Sequence, residues 1–451
     1  MVFNIEYGGT LVSFKNVVEA IRLSGAQVVA IEEAYGNLDS LARALGWANT
    51  DRRTHVISRS PLVAIRGAQG TDLTLVELSP GCVVAVANVH LPSDSSADEL
   101  ERLGWSQGRI LALERRLRLP ALQPVLADLA PLIARGIPAF LAGDFNAPSH
   151  RDDGVGWPTS LAAESAGFRD SYREVYPDAR AHPGFTWWAG RPKVSGWNPD
   201  PKDAQMRIDL LYATAAARAT ASGLVGEGGA RDVTITVEPW VSDHRAIVTT
   251  FDVQPAPAPP LVVVPHQRAI QGGDVTIQVH SAERGARLRF KGVGSVSGAT
   301  ALEVNIRASG AIDTVRVSTR DLNRGAWDVQ LLSSSGAIQA RARFWLTAPD
   351  ARPGVGTSKR KFRAGEAIVA HWHDAPGNRW DWVGVYVARA DLADPNPLLW
   401  RHTGSTVAGS AVLDQAAEGG GWPLRPGVYR VALGLDDSYA VLAESLFEVV
   451  P

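Results

Sequence analysis

Between residues 254 and 260 the chain reads Gln-Pro-Ala-Pro-Ala-Pro-Pro. Prolines in such density remove amide donors and favour an extended conformation, so a helix cannot pass through the segment and a sheet can hold it only at an edge. The run is expected to be a linker over 255–260, ending one domain at residue 254. A length of 451 residues leaves room beyond it for about two further domains of ~150 residues or fewer.

The residues before the linker alternate two periodicities. Val17, Val18 and Ile21 follow Phe14 at helical spacing and stop at Gly25. Leu38, Leu41 and Leu45 follow Asn37 and stop at Gly46, and Leu122, Val125, Leu126, Leu129 and Ile133 stop before Gly136. Each glycine is a helix-ending signal. Strand-like apolar runs lie between them at 28–31, 73–78, 82–91, 139–141, 208–212 and 246–253. Residues 1–254 therefore read as mixed α/β.

After the linker the helical period fades and short alternating segments recur between glycine and serine turns, which is the pattern of β-sandwiches. An internal repeat is present: Gly325-Ala326-Trp327-Asp328-Val329 is matched by Gly427-Val428-Tyr429-Arg430-Val431. Two sandwich modules are expected, over 261–349 and 350–451.

Composition removes several classes of function. Hydrophobic residues at 45% and charged residues at 20% are those of a globular chain, not a disordered or collagen-like one. The longest apolar runs, at 83–89 and 261–265, are far shorter than the ~18 residues of a membrane-spanning helix. A single cysteine, Cys82, permits neither an intrachain disulfide nor a cysteine-based zinc cluster. Residues 1–254 carry 24 basic and 29 acidic side chains, which discourages sequence-independent nucleic-acid binding.

Chemistry-bearing residues cluster just past the apolar strands. Residues 28–31 run into Glu32 and Glu33, residues 86–89 into His90, and residues 140–143 into Asp144-Phe145-Asn146; Arg207-Ile208-Asp209 and Ser242-Asp243-His244 complete the set. Carboxylates and an amide oxygen suit magnesium, manganese or calcium, and histidines beside them transfer protons or contact an anion. The inventory fits a metal-dependent phosphoester hydrolase. It lacks both the His-Glu-x-x-His of a zinc protease and the Gly-x-Ser-x-Gly of a serine hydrolase.

Asn4, Glu33 after Val-Val-Ala-Ile-Glu, Ile57-Ser58-Arg59-Ser60-Pro61-Leu62, Asn88-Val89-His90, Gly143-Asp144-Phe145-Asn146, Arg207-Ile208-Asp209 and Ser242-Asp243-His244 stand in an order that resembles the endonuclease/exonuclease/phosphatase superfamily. The resemblance covers residues 1–254. It implies an α/β four-layer sandwich, two central sheets flanked by helices, followed here by all-β immunoglobulin-like modules. It also implies a divalent-metal-dependent phosphodiesterase, with Mg2+ expected first and Mn2+ or Ca2+ as alternatives.

Carried over by residue, the resemblance makes Asn4, Glu33 and Asp243 metal ligands. His244 paired with Asp209 would act on the phosphoryl group, His90 would protonate the leaving oxygen, and Asp144 and Asn146 would position water and a phosphoryl oxygen. Glu32, usually glutamine in this family, is taken as a solvated neighbour of Glu33, since alternation puts the two on opposite faces. Arg207 is a candidate substrate contact at a phosphate or else a support for Asp209, and His150 is a candidate substrate contact, as are Trp188 and Trp197, whose rings could stack on a base or an aryl leaving group; Trp187 reads as a loop anchor. The substrate expected is a small-molecule, lipid or aryl phosphodiester, with a DNA or RNA nuclease as the alternative and an inactive binding module as a third reading. Residues 2–5 begin a strand with no leader ahead of them. With the sandwich modules, this predicts an extracytoplasmic protein whose leader has been removed. The oligomeric state is left open.

Overall fold

The computed structural model describes all residues except 94–95, 201, 282, 295–299, 308, 390–396 and 437–439. Its contacts divide it into two compact units, Met1–Ala258 and Pro259–Pro451.

The first unit is built on two seven-stranded sheets. One holds β1 (Val2–Asn4), β2 (Val28–Glu32), β3 (Asn49–Asp51), β4 (Val56–Ser58), β11 (Ala217–Gly226), β12 (Val233–Thr236) and β13 (Ala246–Val253), in the order β12-β11-β13-β1-β2-β4-β3. The other holds β5 (Leu62–Arg66), β6 (Asp72–Ser79), β7 (Cys82–His90), β8 (Ala139–Asp144), β9 (Phe168–Asp170) and β10 (Asp209–Thr214), in the order β5-β6-β7-β8-β10-β9. Both sheets are mixed: β1 and β2 are parallel, as are β7 and β8, while β8 and β10 are antiparallel. The proline-rich segment contributes β14 (Ala256–Pro257), which pairs with Val83 and Cys82 at the start of β7, ahead of the point where β8 joins that strand.

The helices expected from periodicity form where glycine ends them. They are α1 (Phe14–Ser24) with Gly25 at φ 68°, α2 (Leu38–Leu45) with Gly46 at φ 74°, and α5 (Leu119–Ala134), followed by Gly136 at φ 80°. The polar-rich helices α3 (Ala97–Arg102) and α4 (Gln107–Leu117), and the short α6 (His150–Asp153), α7 (Pro158–Ser165) and α8 (Ser171–Val175), complete the set.

Strand alternation sorts the layers. Val2, Ala30, Leu224 and Ile247 of the first sheet pack against Ala142 and Leu211 of the second. Their alternates Phe3, Val29 and Ile31 face outward, against Val17, Val18 and Ile21 of α1 and Leu38 and Leu41 of α2. Helix α5 covers the far side of the second sheet against β7 and β8. Two sheets between helical layers make the expected four-layer α/β sandwich.

The second unit is all-β. A three-stranded sheet (Leu261–Val263, Asp274–His280, Asp313–Ser318) and a five-stranded sheet enclose one core around Ile277, Leu288, Phe290, Trp327 and Phe344. A second pair of sheets encloses another around Phe362, Trp372, Val385, Tyr429 and Phe447. The strand order recurs element for element, and the repeated segments are equivalent strands, Gly325–Leu332 and Gly427–Gly434. Among the described residues no single helix is long and apolar enough to cross a membrane.

Candidate active site

Register assembles the site before any side chain is considered. His90 on β7 lies opposite Asp144 on β8, and Asp144 lies opposite Asp209 on β10. The three stand in one row across the end of the second sheet. Asp144 is two residues beyond Ala142, and Asp209 two before Leu211, so both carboxylates share the inward face of those core residues. Asn4, two beyond Val2, faces them from the first sheet.

Gly143 permits this packing. Its φ is 140°, and a Cβ there would lie 1.8 Å from the carbonyl oxygen of Val89. Asn146, at φ 49°, donates its backbone N–H to Asp144 Oδ1 at 2.8 Å and its side-chain amide to the Leu91 carbonyl at 3.0 Å. The turn after β8 is thereby tied to the end of β7.

The groups converge. Asn4 Nδ2 donates to Glu33 Oε1 at 3.1 Å and to Asp144 Oδ2 at 3.2 Å. His244 Nδ1 is 2.8 Å from Asp209 Oδ2, and its Nε2 is 3.7 Å from Asp144 Oδ2 and 4.0 Å from Asp243 Oδ1. His90 Nε2 is also 3.7 Å from Asp144 Oδ2. Thr186 Oγ1 accepts the backbone N–H of Asp209 at 3.1 Å, and Ser242 Oγ that of His244 at 3.0 Å.

Electrostatics in this space are dominated by crowded acids. Burial opposes a charged His244 ring, but Asp209, Asp243 and Asp144 together outweigh it and hold the imidazole protonated well above its ordinary range. Asp243 is pushed up to about 7, first by burial, then by Glu6 and Glu33, against the opposing pull of His244 and Arg191.

The donor set is that of a hard divalent cation's site. Asp144, Asp209 and His244 bring one polar atom each within 4.8 Å of one another, and Asn4 joins Asp144 to Glu33 while Asp243 lies 4.0 Å from His244, so the carboxylates of Glu33 and Asp243 border the same acid-rich space. Asp209 Oδ1 is buried without a hydrogen-bond partner. Crowded carboxylates, with Asp209 and Asp243 both pushed above their ordinary range, are what a divalent cation neutralises, and an amide oxygen is a hard ligand beside them, so the residues fit such an ion.

Glu32 corrects the expectation of a solvated neighbour. It is 2% exposed, both carboxylate oxygens lack a hydrogen-bond partner, and burial with the nearby Asp209 and Asp144 charges pushes its pKa well above the carboxylate range. Alternation from Ala30 turns it into the space between the sheets. Glu33 leaves the strand at φ 54° and turns its carboxylate to Asn4.

The structure decides between the two roles open to Arg207 and corrects the expectation for His150. Arg207 is buried and donates to Asp152 Oδ1 at 2.7 Å and Asp170 Oδ2 at 2.6 Å, so it supports the chain leading to Asp209. Both ring nitrogens of His150 are engaged, Nδ1 with Ser160 Oγ at 2.6 Å and Nε2 with Glu164 Oε2 at 3.1 Å. Trp188 is half-buried, with Nε1 donating to the Asp203 carbonyl, while Trp197 is 54% exposed. Of the three loop tryptophans, Trp187 contacts the cluster, its Nε1 donating to Asp243 Oδ2 at 3.3 Å.

Sequence reasoning missed Glu6 and Arg191. Glu6 Oε2 accepts the backbone N–H of Asp243 at 3.0 Å, and Arg191 closes on the same carboxylate at 2.5 and 2.6 Å. Arg191 also donates to Asn198 Oδ1 and the Trp197 carbonyl, tying the tryptophan loop to the 242–244 turn. Glu6 carried one legible signal, its place two residues after Asn4; Arg191 carried none.

Fold and site define a two-sheet α/β protein with a carboxylate–imidazole centre at one end of its sheets. The chain belongs to the Endonuclease/Exonuclease/phosphatase family, which matches residues 1–244. An uncharacterized protein of Caenorhabditis elegans is 28% identical over 252 residues, covering 47% of this chain and 77% of that one. Among solved structures, an endonuclease/exonuclease/phosphatase from Beutenbergia cavernae is 16% identical, with a TM-score of 0.35 over 76% of this chain and 98% of its own. An AP endonuclease from Archaeoglobus fulgidus, also 16% identical, has a TM-score of 0.36 over 56% of this chain and 98% of its own. Members of the family are metal-dependent phosphoesterases and nucleases.

Proposed function

We propose that residues 1–254 hydrolyse phosphodiesters with a divalent cation, Mg2+ in the first instance, on a small-molecule, lipid or aryl diester. The observation that carries this is the row His90–Asp144–Asp209 meeting Asn4, Glu33 and His244 across the end of the two sheets.

Glu33, Asn4 and Asp243 would hold the cation, which supplies charge stabilisation to the phosphoryl oxygens when bound. Asp209 fixes the His244 ring through Nδ1 and leaves Nε2 to donate to the phosphoryl group, where negative charge grows as water attacks in line. Asp144 and Asn146 orient that water, and the Asp144 carboxylate accepts the proton it gives up. His90, the more exposed of the two histidines, supplies a proton to the departing oxygen.

The net negative charge of this domain supports a small diester over a nucleic acid. The two sandwiches read as immunoglobulin-like accessory modules, supported by their identical strand order, and such modules on a hydrolase support an extracytoplasmic setting.

Metal-stripped full-length protein re-supplied with Mg2+, Mn2+ or Ca2+ should cleave bis(p-nitrophenyl) phosphate faster than p-nitrophenyl phosphate and leave plasmid DNA intact. Plasmid nicking at lower enzyme concentrations than the diester needs would replace this reading with a nuclease. Inactivity with every metal and substrate would favour a binding module.

A further inference from the structure

The Arg191 side chain is 2% exposed and makes five hydrogen bonds, as many as a guanidinium has N–H groups. Nε and Nη2 close on Glu6 Oε2 and Oε1 at 2.5 and 2.6 Å, and Nη2 also donates to the Trp197 carbonyl at 3.3 Å. Nη1 donates to the Pro192 carbonyl at 3.1 Å and to Asn198 Oδ1 at 3.0 Å. A guanidinium engaged in this way holds its neighbours in place.

Glu6 passes that order to two of the groups that would hold the cation. Its Oε2 accepts the backbone N–H of Asp243 at 3.0 Å, and its own N–H donates to Asn4 Oδ1 at 3.1 Å. The second bond sets the sense of the Asn4 amide and sends Nδ2 to Glu33 and Asp144. The stretch of chain that carries Arg191 grips Asp243 from its other side: the Ala189 N–H donates to the Asp243 carbonyl at 2.7 Å. Fold stability does not account for the arrangement. Glu6 stands at φ 50°, a region that residues other than glycine seldom enter, and a buried ion pair is often no more stabilising than apolar residues of like volume.

We propose that Arg191 is a positioning residue for the cation site: through Glu6 it fixes Asp243 and Asn4 in the arrangement a divalent cation needs, and it ties the Trp197 loop to that arrangement. The fork is the operative feature, because a lysine keeps the charge but cannot hold Glu6, the loop carbonyls and Asn198 together. Groups that hydrogen-bond a metal ligand set its orientation, and losing one costs about 10–100-fold in metal affinity. Charge alone acts the other way, since the Arg191 charge is felt at Asp243 and a positive charge beside the site opposes the binding of a cation. The inference rests on the divalent-cation part of the phosphodiesterase reading.

The test is calorimetric titration of the metal-stripped full chain with Mn2+, without substrate, for wild type, Arg191→Lys, Glu6→Asp and Asn198→Ala. The first two variants keep every charge, so a change in affinity reports geometry. Each should weaken Mn2+ binding about tenfold or more at unchanged stoichiometry, whereas Asn198→Ala, which leaves the Glu6–Arg191 fork in place, should stay within about twofold of wild type. A purely structural role would instead lower the stoichiometry, as part of the protein fails to fold, and leave the affinity of the remainder unchanged. That result, wild-type affinity in both charge-conserving variants, or an equal loss in Asn198→Ala overturns the proposal. If Arg191→Lys does not fold, Glu6→Asp decides on the same criterion. Turnover of bis(p-nitrophenyl) phosphate is read separately. Weakened Mn2+ binding in the variants with no turnover in wild type removes the phosphodiesterase reading alone; turnover with unchanged Mn2+ affinities removes the positioning role alone; wild type that binds no Mn2+ overturns both.

Discussion

Asp209 and His244 owe their pairing to two small hydroxyl contacts, since Thr186 and Ser242 fix the backbone of each where the side chains meet. The same contrast between a seated and an unseated group appears at Glu33 and Glu32. Glu33 was legible because a motif preceded it, whereas the burial of Glu32 depends on the second sheet closing over β2, which no local pattern encodes. The two roles open to Arg207 could not be separated for a related reason: its partners, Asp152 and Asp170, lie 55 and 37 residues earlier in the chain. A residue-scale prediction comes from His402, far from this chemistry. Its ring lies edge-on to Trp380 and Trp400 at 5.1 and 5.0 Å, and burial, aided by the Arg379 charge, pushes its pKa down to about 4. A depressed folded-state pKa gives stability that is present above the unfolded value of 6.5 and lost as pH falls through about 4, here roughly 3 kcal/mol. The melting temperature of the full chain between pH 7 and pH 4 should therefore fall less in His402→Gln than in wild type. Parallel pH profiles would contradict the assignment.

The elements carry the site through the packing of β7 against β8. Gly143 lies so close to Val89 that a methyl group cannot be accommodated without parting the strands, which would also part His90 from Asp144. Gly143→Ala should cost about 3 kcal/mol or more and lower activity beyond what the loss of folded protein explains. A variant with wild-type melting and turnover would show that the two strands tolerate separation. At this scale the sequence was a good guide wherever an apolar period ended in glycine, as in α1 and α2, and wherever apolar runs stayed continuous, as in β7 and β13. Helix α3 escaped notice because it is short and mainly acidic, and α4 because its arginines dilute the apolar period. The Glu6–Arg191 pair joins two loops and has no periodicity to detect.

At the scale of the molecule, one α/β unit carries all of the converging acids and histidines, and an all-β unit repeats a single strand order twice. The proline-rich segment marks the change, although two of its residues add to the edge of β7. The internal repeat could be read from a few matched strand residues because sandwich cores demand similar aromatics at equivalent positions, Trp327 with Phe344 and Tyr429 with Phe447. The substrate's identity had no comparable signal, since it depends on loops such as 187–198 whose contacts arise only in three dimensions. The proposed catalysis depends on Asp209 orienting His244 at a phosphoester. The most direct measurement is kcat/KM for bis(p-nitrophenyl) phosphate in wild type and Asp209→Asn, with Mg2+ and with melting temperatures recorded for both. The predicted result is a loss of about 100-fold or more with the fold retained; turnover within a few-fold of wild type would contradict it.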